Sequence, residues 1–167
     1  MSPSAIGPGE VPIDPDVDLH DPAQRGQRMW DPALLVAIAA GGVVGAEARY
    51  GLSVWWPSDP GQWPAATLAI NITGSLLLGA LMVVLTELTS APRLTRPFLG
   101  VGVLGGYTTF STAMLDVHQL LAAGRFGMAM AYLFGTAVAA LAAVAVGSAG
   151  MRWSAAGWRA RRSRGAG

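Results

Sequence analysis

The sequence predicts an all-α integral membrane protein with four transmembrane helices. Three observations carry that prediction: four apolar runs of spanning length, a low share of charge, and tryptophans gathered at the ends of the runs. The chain is 52% hydrophobic and 13% charged, about half the charged fraction of an ordinary soluble domain. The runs cover about 32–52, 65–88, 98–121 and 126–151. Each has about the 20 residues that an α-helix needs to cross the hydrocarbon core. Residues 97–115 and 126–151 hold no charge at all. Between runs stand Pro57, Pro60 and Pro64, then Pro92 and Pro97, then Gly124, all residues that break helices or favour loops. Trp30, Trp55, Trp56, Trp63, Trp153 and Trp158 fall at or just beyond run ends. Indole, with an apolar ring and a single polar N–H, favours the headgroup layer.

The flanks differ from the runs. Residues 1–31 combine Pro3, Pro8, Pro12, Pro15 and Pro22 with Asp14, Asp16, Asp18 and Asp21. Such a segment buries too little apolar surface to offset its ordering entropy, so it is expected to be a flexible tail. It also lacks the basic start and early apolar run of a secretory signal. Residues 152–167 form a basic tail, with five arginines and no acid. Arginines that directly follow an apolar helix read as a membrane-surface anchor rather than a nucleic-acid site. The chain has no cysteine, which excludes disulfides and thiolate metal sites, and His20 and His118 stand apart from any second histidine.

Arginine sets the expected orientation, since lysine is absent. Four crossings place both termini and the middle loop on one side. That side carries Arg25, Arg28, Arg93, Arg96, Arg152, Arg159, Arg161, Arg162 and Arg164, against Arg125 alone in the opposite loops. The positive-inside rule then puts both termini in the cytoplasm of a multi-pass cell-membrane protein.

Polar groups at membrane depth are costly, so each is a functional candidate. Thr67, Asn71 and Ser75 recur every four residues in the second run and share a helix face. They could serve a site or simply tie helices together. In the third run, Leu104-Gly105-Gly106-Tyr107-Thr108-Thr109-Phe110-Ser111-Thr112 sets two glycines beside β-branched and hydroxyl residues. Two readings stay open here. One is a helix broken mid-membrane, whose freed carbonyls suit a hard cation such as Na⁺. The other is a continuous helix with a small-residue packing face. Tyr132 and Thr136 share a face of the fourth run, where they form a hydroxyl track or a packing contact. Arg49 closes the first run, free to snorkel to the interface or to attract an anion.

Three motifs taken together resemble the Fluc (CrcB) fluoride channels. They are Gly41-Gly42-Val43-Val44-Gly45-Ala46-Glu47-Ala48-Arg49-Tyr50, then Asn71-Ile72-Thr73-Gly74-Ser75 followed by Gly79, then Gly105-Gly106-Tyr107-Thr108-Thr109-Phe110-Ser111-Thr112. The resemblance covers about residues 33–150 and makes 32–151 a four-helix channel domain. It implies a third helix broken mid-membrane and an antiparallel dimer with two narrow fluoride pores at the interface, through which toxic cytoplasmic fluoride leaves passively. It also implies a structural Na⁺ at the dimer centre, held and not transported, on the backbone carbonyls of Gly105 and Thr108 from both subunits. By motif position Asn71 is the pore amide, Phe110 the first pore phenylalanine and Arg49 the vestibule arginine. Ser75, Ser111 and Thr112 fall along the pore, and Tyr132 and Thr136 start its hydroxyl track.

This chain departs from the family pattern at Ala113, where a second phenylalanine is usual, and at Ala140, where the hydroxyl track often continues. Glu47 places an acid where an apolar residue is expected. With the arginine bias, these departures lead to the expectation of an inverted paralogue as partner, supplying the missing phenylalanine. Two other readings compete: a small proton-coupled exporter using Glu47, and a non-transporting membrane scaffold. A hydrolase is disfavoured, because Ser75 and Ser111 have no histidine at matching depth.

Overall fold

The structure, a computed structural model, describes the backbone of residues 31–164 and the side chains of residues 31–157. The tail expected to be flexible therefore lies, apart from Asp31, outside the described residues, as do Arg25, Arg28 and Trp30. The first helix, α1, spans Pro32–Trp55. Asp31 caps it, its carboxylate accepting the Ala33 N–H at 3.0 Å, and Pro32 occupies the first turn, where a missing N–H costs nothing. Helix α2 spans Ala65–Val83 and ends in a wider π-type turn, Val84–Leu88.

The third span comes in two pieces. Its first half, α3, runs as a π-helix over Pro97–Leu104 and adds one ordinary turn, Gly105–Tyr107. After a break at Thr108, which is extended (φ −75°, ψ 160°), the second half, α4, spans Ser111–Ala122. It stops at Gly124 (φ 73°). There the Arg125 N–H reaches the Leu120 carbonyl and the Gly124 N–H the Leu121 carbonyl, each at 2.9 Å, the paired bonds of a Schellman cap. Helix α5 then runs from Phe126 to Arg164.

Two helix pairs make most of the bundle: α1 lies on α3, and α2 lies on α5. Both contacts depend on missing side chains. A Cβ at Gly45 would overlap the Val103 carbonyl and the Tyr107 amide of α3, and one at Gly147 would overlap the Leu76 carbonyl of α2. Backbone approach this close replaces the hydrophobic drive that lipid cannot provide between helices. A smaller core of Ala113, Val117, Leu120, Ala129 and Tyr132 joins α4 to α5.

Large apolar side chains mostly point outward: Val36, Val43, Val101, Phe134 and Leu141 are all exposed. All four spans are long and apolar enough to cross a membrane, and this is a multi-pass membrane protein. Ion pairs gather at one end of the bundle. Asp31 pairs with Arg93, tying the start of α1 to the α2–α3 loop, and Glu87 meets Arg152 at 2.8 Å. Four crossings require these segments to share a side, and the pairs join them there.

Three boundaries move from the sequence expectation. Helix α1 continues beyond residue 52 to Trp55, so Arg49 does not end it, and Glu47 sits eight residues inside its C-terminal end. The third span is wider than 98–121 and split. Helical backbone also carries on past 151 through the arginine-rich segment to Arg164. Arginine and alanine are strong helix formers, so α5 meets no breaker where it leaves the apolar run.

Candidate functional site: a cleft at the helix break

Asn71 organises the break. From the middle of α2 its side-chain oxygen accepts the Thr109 N–H at 2.9 Å, and its amide donates to the Thr109 carbonyl at 2.9 Å. Both residues are buried, at 9% and 7% exposure. In an unbroken helix the Thr109 N–H would bond the Gly105 carbonyl. Diverting it to Asn71 releases that carbonyl. The Thr109 hydroxyl repeats the manoeuvre one step later: it accepts the Thr112 N–H at 3.1 Å, as an N-cap does. A continuous helix would have given that N–H to the Thr108 carbonyl. The two carbonyls released by side-chain competition are thus those of Gly105 and Thr108, the pair singled out from the motif. Thr108 anchors the last turn before the break, its hydroxyl donating to the Leu104 carbonyl at 3.0 Å.

A cleft of about 410 Å³ opens beside the break. Asn71 and Ser75 border it from α2, Gly105 and Thr108 from the end of α3, Phe110 from the break, and Tyr132 and Thr136 from α5. Seven of the residues expected from the motifs therefore meet in one place. Asn71 has one amide hydrogen left after serving Thr109, since the group carries two. The Thr136 hydroxyl is buried without a hydrogen-bond partner among the described residues. Phe110 is 78% exposed, an aromatic ring on the outer surface of the bundle and at the rim of the cleft. Ala113 and Ala140 also line the cleft, so both departures from the family pattern fall on its wall and leave it apolar there.

Three expected residues do not line the cleft. Ser111 and Thr112 turn toward the Thr109 hydroxyl, with oxygens 3.3 and 3.0 Å away. They stabilise the start of α4. Arg49 stays on α1, its carbonyl accepting the Ser53 hydroxyl at 2.9 Å.

Asp116 is the residue that sequence reading passed over. Its carboxylate accepts the Tyr132 hydroxyl at 3.3 Å, and Trp63 stands edge-on to the same tyrosine, with ring centroids 5.7 Å apart and planes at 85°. The signal was available: Asp116 is the carboxylate inside the third span, one residue past its charge-free stretch.

The family described as CrcB-like protein, Camphor Resistance (CrcB), matches residues 36–148. The chain belongs to the CrcB family. Among its relatives, "Fluoride-specific ion channel FluC 2" of Nocardia farcinica is 51% identical over 124 residues, 74% of this chain and 89% of the relative. "Fluoride-specific ion channel FluC 1" of Streptomyces coelicolor is 47% identical over 141 residues, 84% of this chain and 85% of the relative. "Fluoride-specific ion channel FluC 2" of Thermobifida fusca is 44% identical over 111 residues, 66% and 82% of the two chains. The matched stretch of the CrcB family holds the whole cleft, from Asn71 to Ala140. CrcB proteins are channels, and this chain is not an enzyme.

Proposed function

We propose that this chain is a subunit of a passive fluoride-selective channel that lets cytoplasmic fluoride leave the cell. The observation that carries the proposal is the identity of about half over most of both chains to proteins named fluoride-specific ion channels. The cleft supports it physically. Fluoride is small and strongly hydrated, so a pore must replace its water with donors without holding the ion too tightly to release it. The spare Asn71 hydrogen and the Thr136 and Ser75 hydroxyls supply such donors. Phe110 adds a ring edge of positive quadrupole character. Glu47 lies on the exposed face of α1 and away from the cleft, which favours passive flux over the proton-coupled alternative.

The donor set also fits a structural Na⁺. A hard cation takes oxygen ligands, and Gly105 and Thr108, whose carbonyls the break releases, both border the cleft. One subunit offers too few oxygens, so the site would be completed by a second, oppositely oriented subunit. When bound, Na⁺ would cross-link the two breaks. Phe110, 78% exposed at the rim of the cleft, would pack against the same partner. The arginine bias, which puts both termini in the cytoplasm, makes that partner an inverted paralogue.

The test is fluoride against chloride efflux from liposomes holding the purified chain, with and without Na⁺. Fluoride-selective efflux that needs Na⁺ and drops in Asn71→Ala and Phe110→Ala is the expected result. Efflux of neither ion would favour a scaffold, and robust efflux from the chain alone would remove the paralogue from the proposal.

A further inference from the structure

Helix α5 runs well past the bundle. It spans Phe126–Arg164, about 58 Å at 1.5 Å per residue, which is about twice the hydrocarbon core. Arg152 meets Glu87 at 2.8 Å, and Trp153, next in the chain, is 86% exposed. Beyond them Arg159, Arg161, Arg162 and Arg164 follow on continuous helical backbone. Arg159 stands three positions before Arg162, and Arg161 three before Arg164. Like charges at that spacing weaken a helix, so this end calls for counter-charge.

The acids of the chain can be accounted for one by one. Asp31 and Glu87 lie at the same end of the bundle, and Arg93 and Arg152 already hold them. Glu47 lies within α1, Asp59 in the loop before α2, and Asp116 in α4, the half of the third span nearer the opposite side. The remaining five, Glu10, Asp14, Asp16, Asp18 and Asp21, all precede α1, with no base before Arg25. Four crossings bring that segment to the side where α5 ends.

We propose that residues 10–21 dock on the protruding end of α5, residues 159–164, as its acidic partner within the same chain. Reach permits it. Asp21 precedes Asp31, the cap of α1, by about ten residues, which extend to about 33 Å. The path from α1 to α5 crosses about two helix spacings of 8–10 Å each. Strength permits it too. A single exposed ion pair is weak, but tethering gives the tail an effective concentration in the millimolar range, and several pairs act together. Anionic lipid is the weaker candidate. Arg159 and Arg164 lie about 10 and about 18 Å along the helix beyond Arg152, farther from the headgroups than the Debye length of about 8 Å. The anchor reading of the basic tail thus suits Arg152 and not the four arginines after it.

The inference does not depend on the channel reading, and its test reads no ion flux. The chain has no cysteine, so Val17→Cys and Ala160→Cys accept one spin label each. The distance between them is measured by double electron–electron resonance on the full chain in nanodiscs. An oppositely oriented partner carries its own tail across the membrane, so a short distance arises within one chain. One short, narrow distance is expected in phosphatidylcholine at about 0.1 M salt. It should be lost at about 1 M, where the Debye length falls to about 3 Å. Neutralising the tail (Asp14→Asn, Asp16→Asn, Asp18→Asn and Asp21→Asn) should abolish it, as should Arg159→Gln, Arg161→Gln, Arg162→Gln and Arg164→Gln together. Exchanging the signs, those four acids to Lys with those four arginines to Glu, should bring it back. No short distance at low salt overturns the proposal. So does a short distance that survives 1 M salt or either neutralised set. A short distance lost when phosphatidylglycerol is added assigns the arginines to lipid and overturns it as well. Should a variant fail to assemble, the salt series on the labelled chain decides alone.

Discussion

Replacing Asn71 by alanine asks whether the break in the third span is held or merely tolerated. Two hydrogen bonds of 2.9 Å disappear, and the groups they served are the N–H and C=O of Thr109, 7% exposed. A buried backbone group left unpaired costs about 1–3 kcal/mol, which gives about 2–6 kcal/mol for the pair. Interhelical bonds in bilayers average nearer 0.6 kcal/mol, because the reference state finds other partners. Here one substitute exists: the Thr109 N–H can return to the Gly105 carbonyl and heal the helix. The Thr109 carbonyl has no such alternative within the turn that Thr108 leaves extended. The expected loss is therefore about 2–4 kcal/mol, read as unfolding equilibrium in detergent mixtures. The healed Gly105 carbonyl predicts a second effect, loss of any stabilisation by Na⁺ relative to K⁺. Asn71→Asp keeps the shape but sets a carboxylate oxygen against the Thr109 carbonyl, and it should cost at least as much. A stable Asn71→Ala protein that keeps its Na⁺ response and loses only fluoride flux would refute this account, leaving Asn71 as an ion ligand alone.

Other substitutions separate folding from passage. Thr136→Val replaces an unpartnered buried hydroxyl by an apolar group of like shape, so it should stabilise the protein by about 1 kcal/mol and slow fluoride efflux; unchanged efflux would remove Thr136 from the ion path. Phe110→Ala should shift subunit stability by less than about 0.5 kcal/mol, since the ring is 78% exposed, while efflux falls; a drop in folded yield would show instead that the ring packs internally. Gly45→Ala drives a Cβ into the Val103 and Tyr107 backbone of α3 and should destabilise by about 1–3 kcal/mol or more, visible as lost monodisperse protein on gel filtration. Breaking the exposed Glu87–Arg152 pair with Glu87→Ala should cost only about 0.2–1 kcal/mol, and a double-mutant cycle with Arg152→Ala would measure it.

The sequence by itself determined the spans, because bilayer thickness fixes how long an uncharged run must be and every residue contributes to that signal locally. It also marked Asn71 and Thr136 through their chemistry, and Gly105 and Thr108 through the motif resemblance. The residue pattern alone did not decide between a broken and a continuous third helix; the motif resemblance implied the break. That choice depends on whether an amide 38 positions earlier in the chain reaches the Thr109 backbone, a contact that no local pattern encodes. For the same reason the contacts of Ser111 and Thr112 with the Thr109 hydroxyl at the start of α4 were not legible in the sequence. Asp116 escaped notice because a single carboxylate near the end of a span looks like a snorkelling surface group. Only the packing of α4 on α5, which brings Tyr132 to it, shows where its charge is spent. Composition and length settle which segments enter the membrane. Which backbone groups are then left free for an ion is settled by long-range competition for hydrogen bonds, and that is decided in three dimensions.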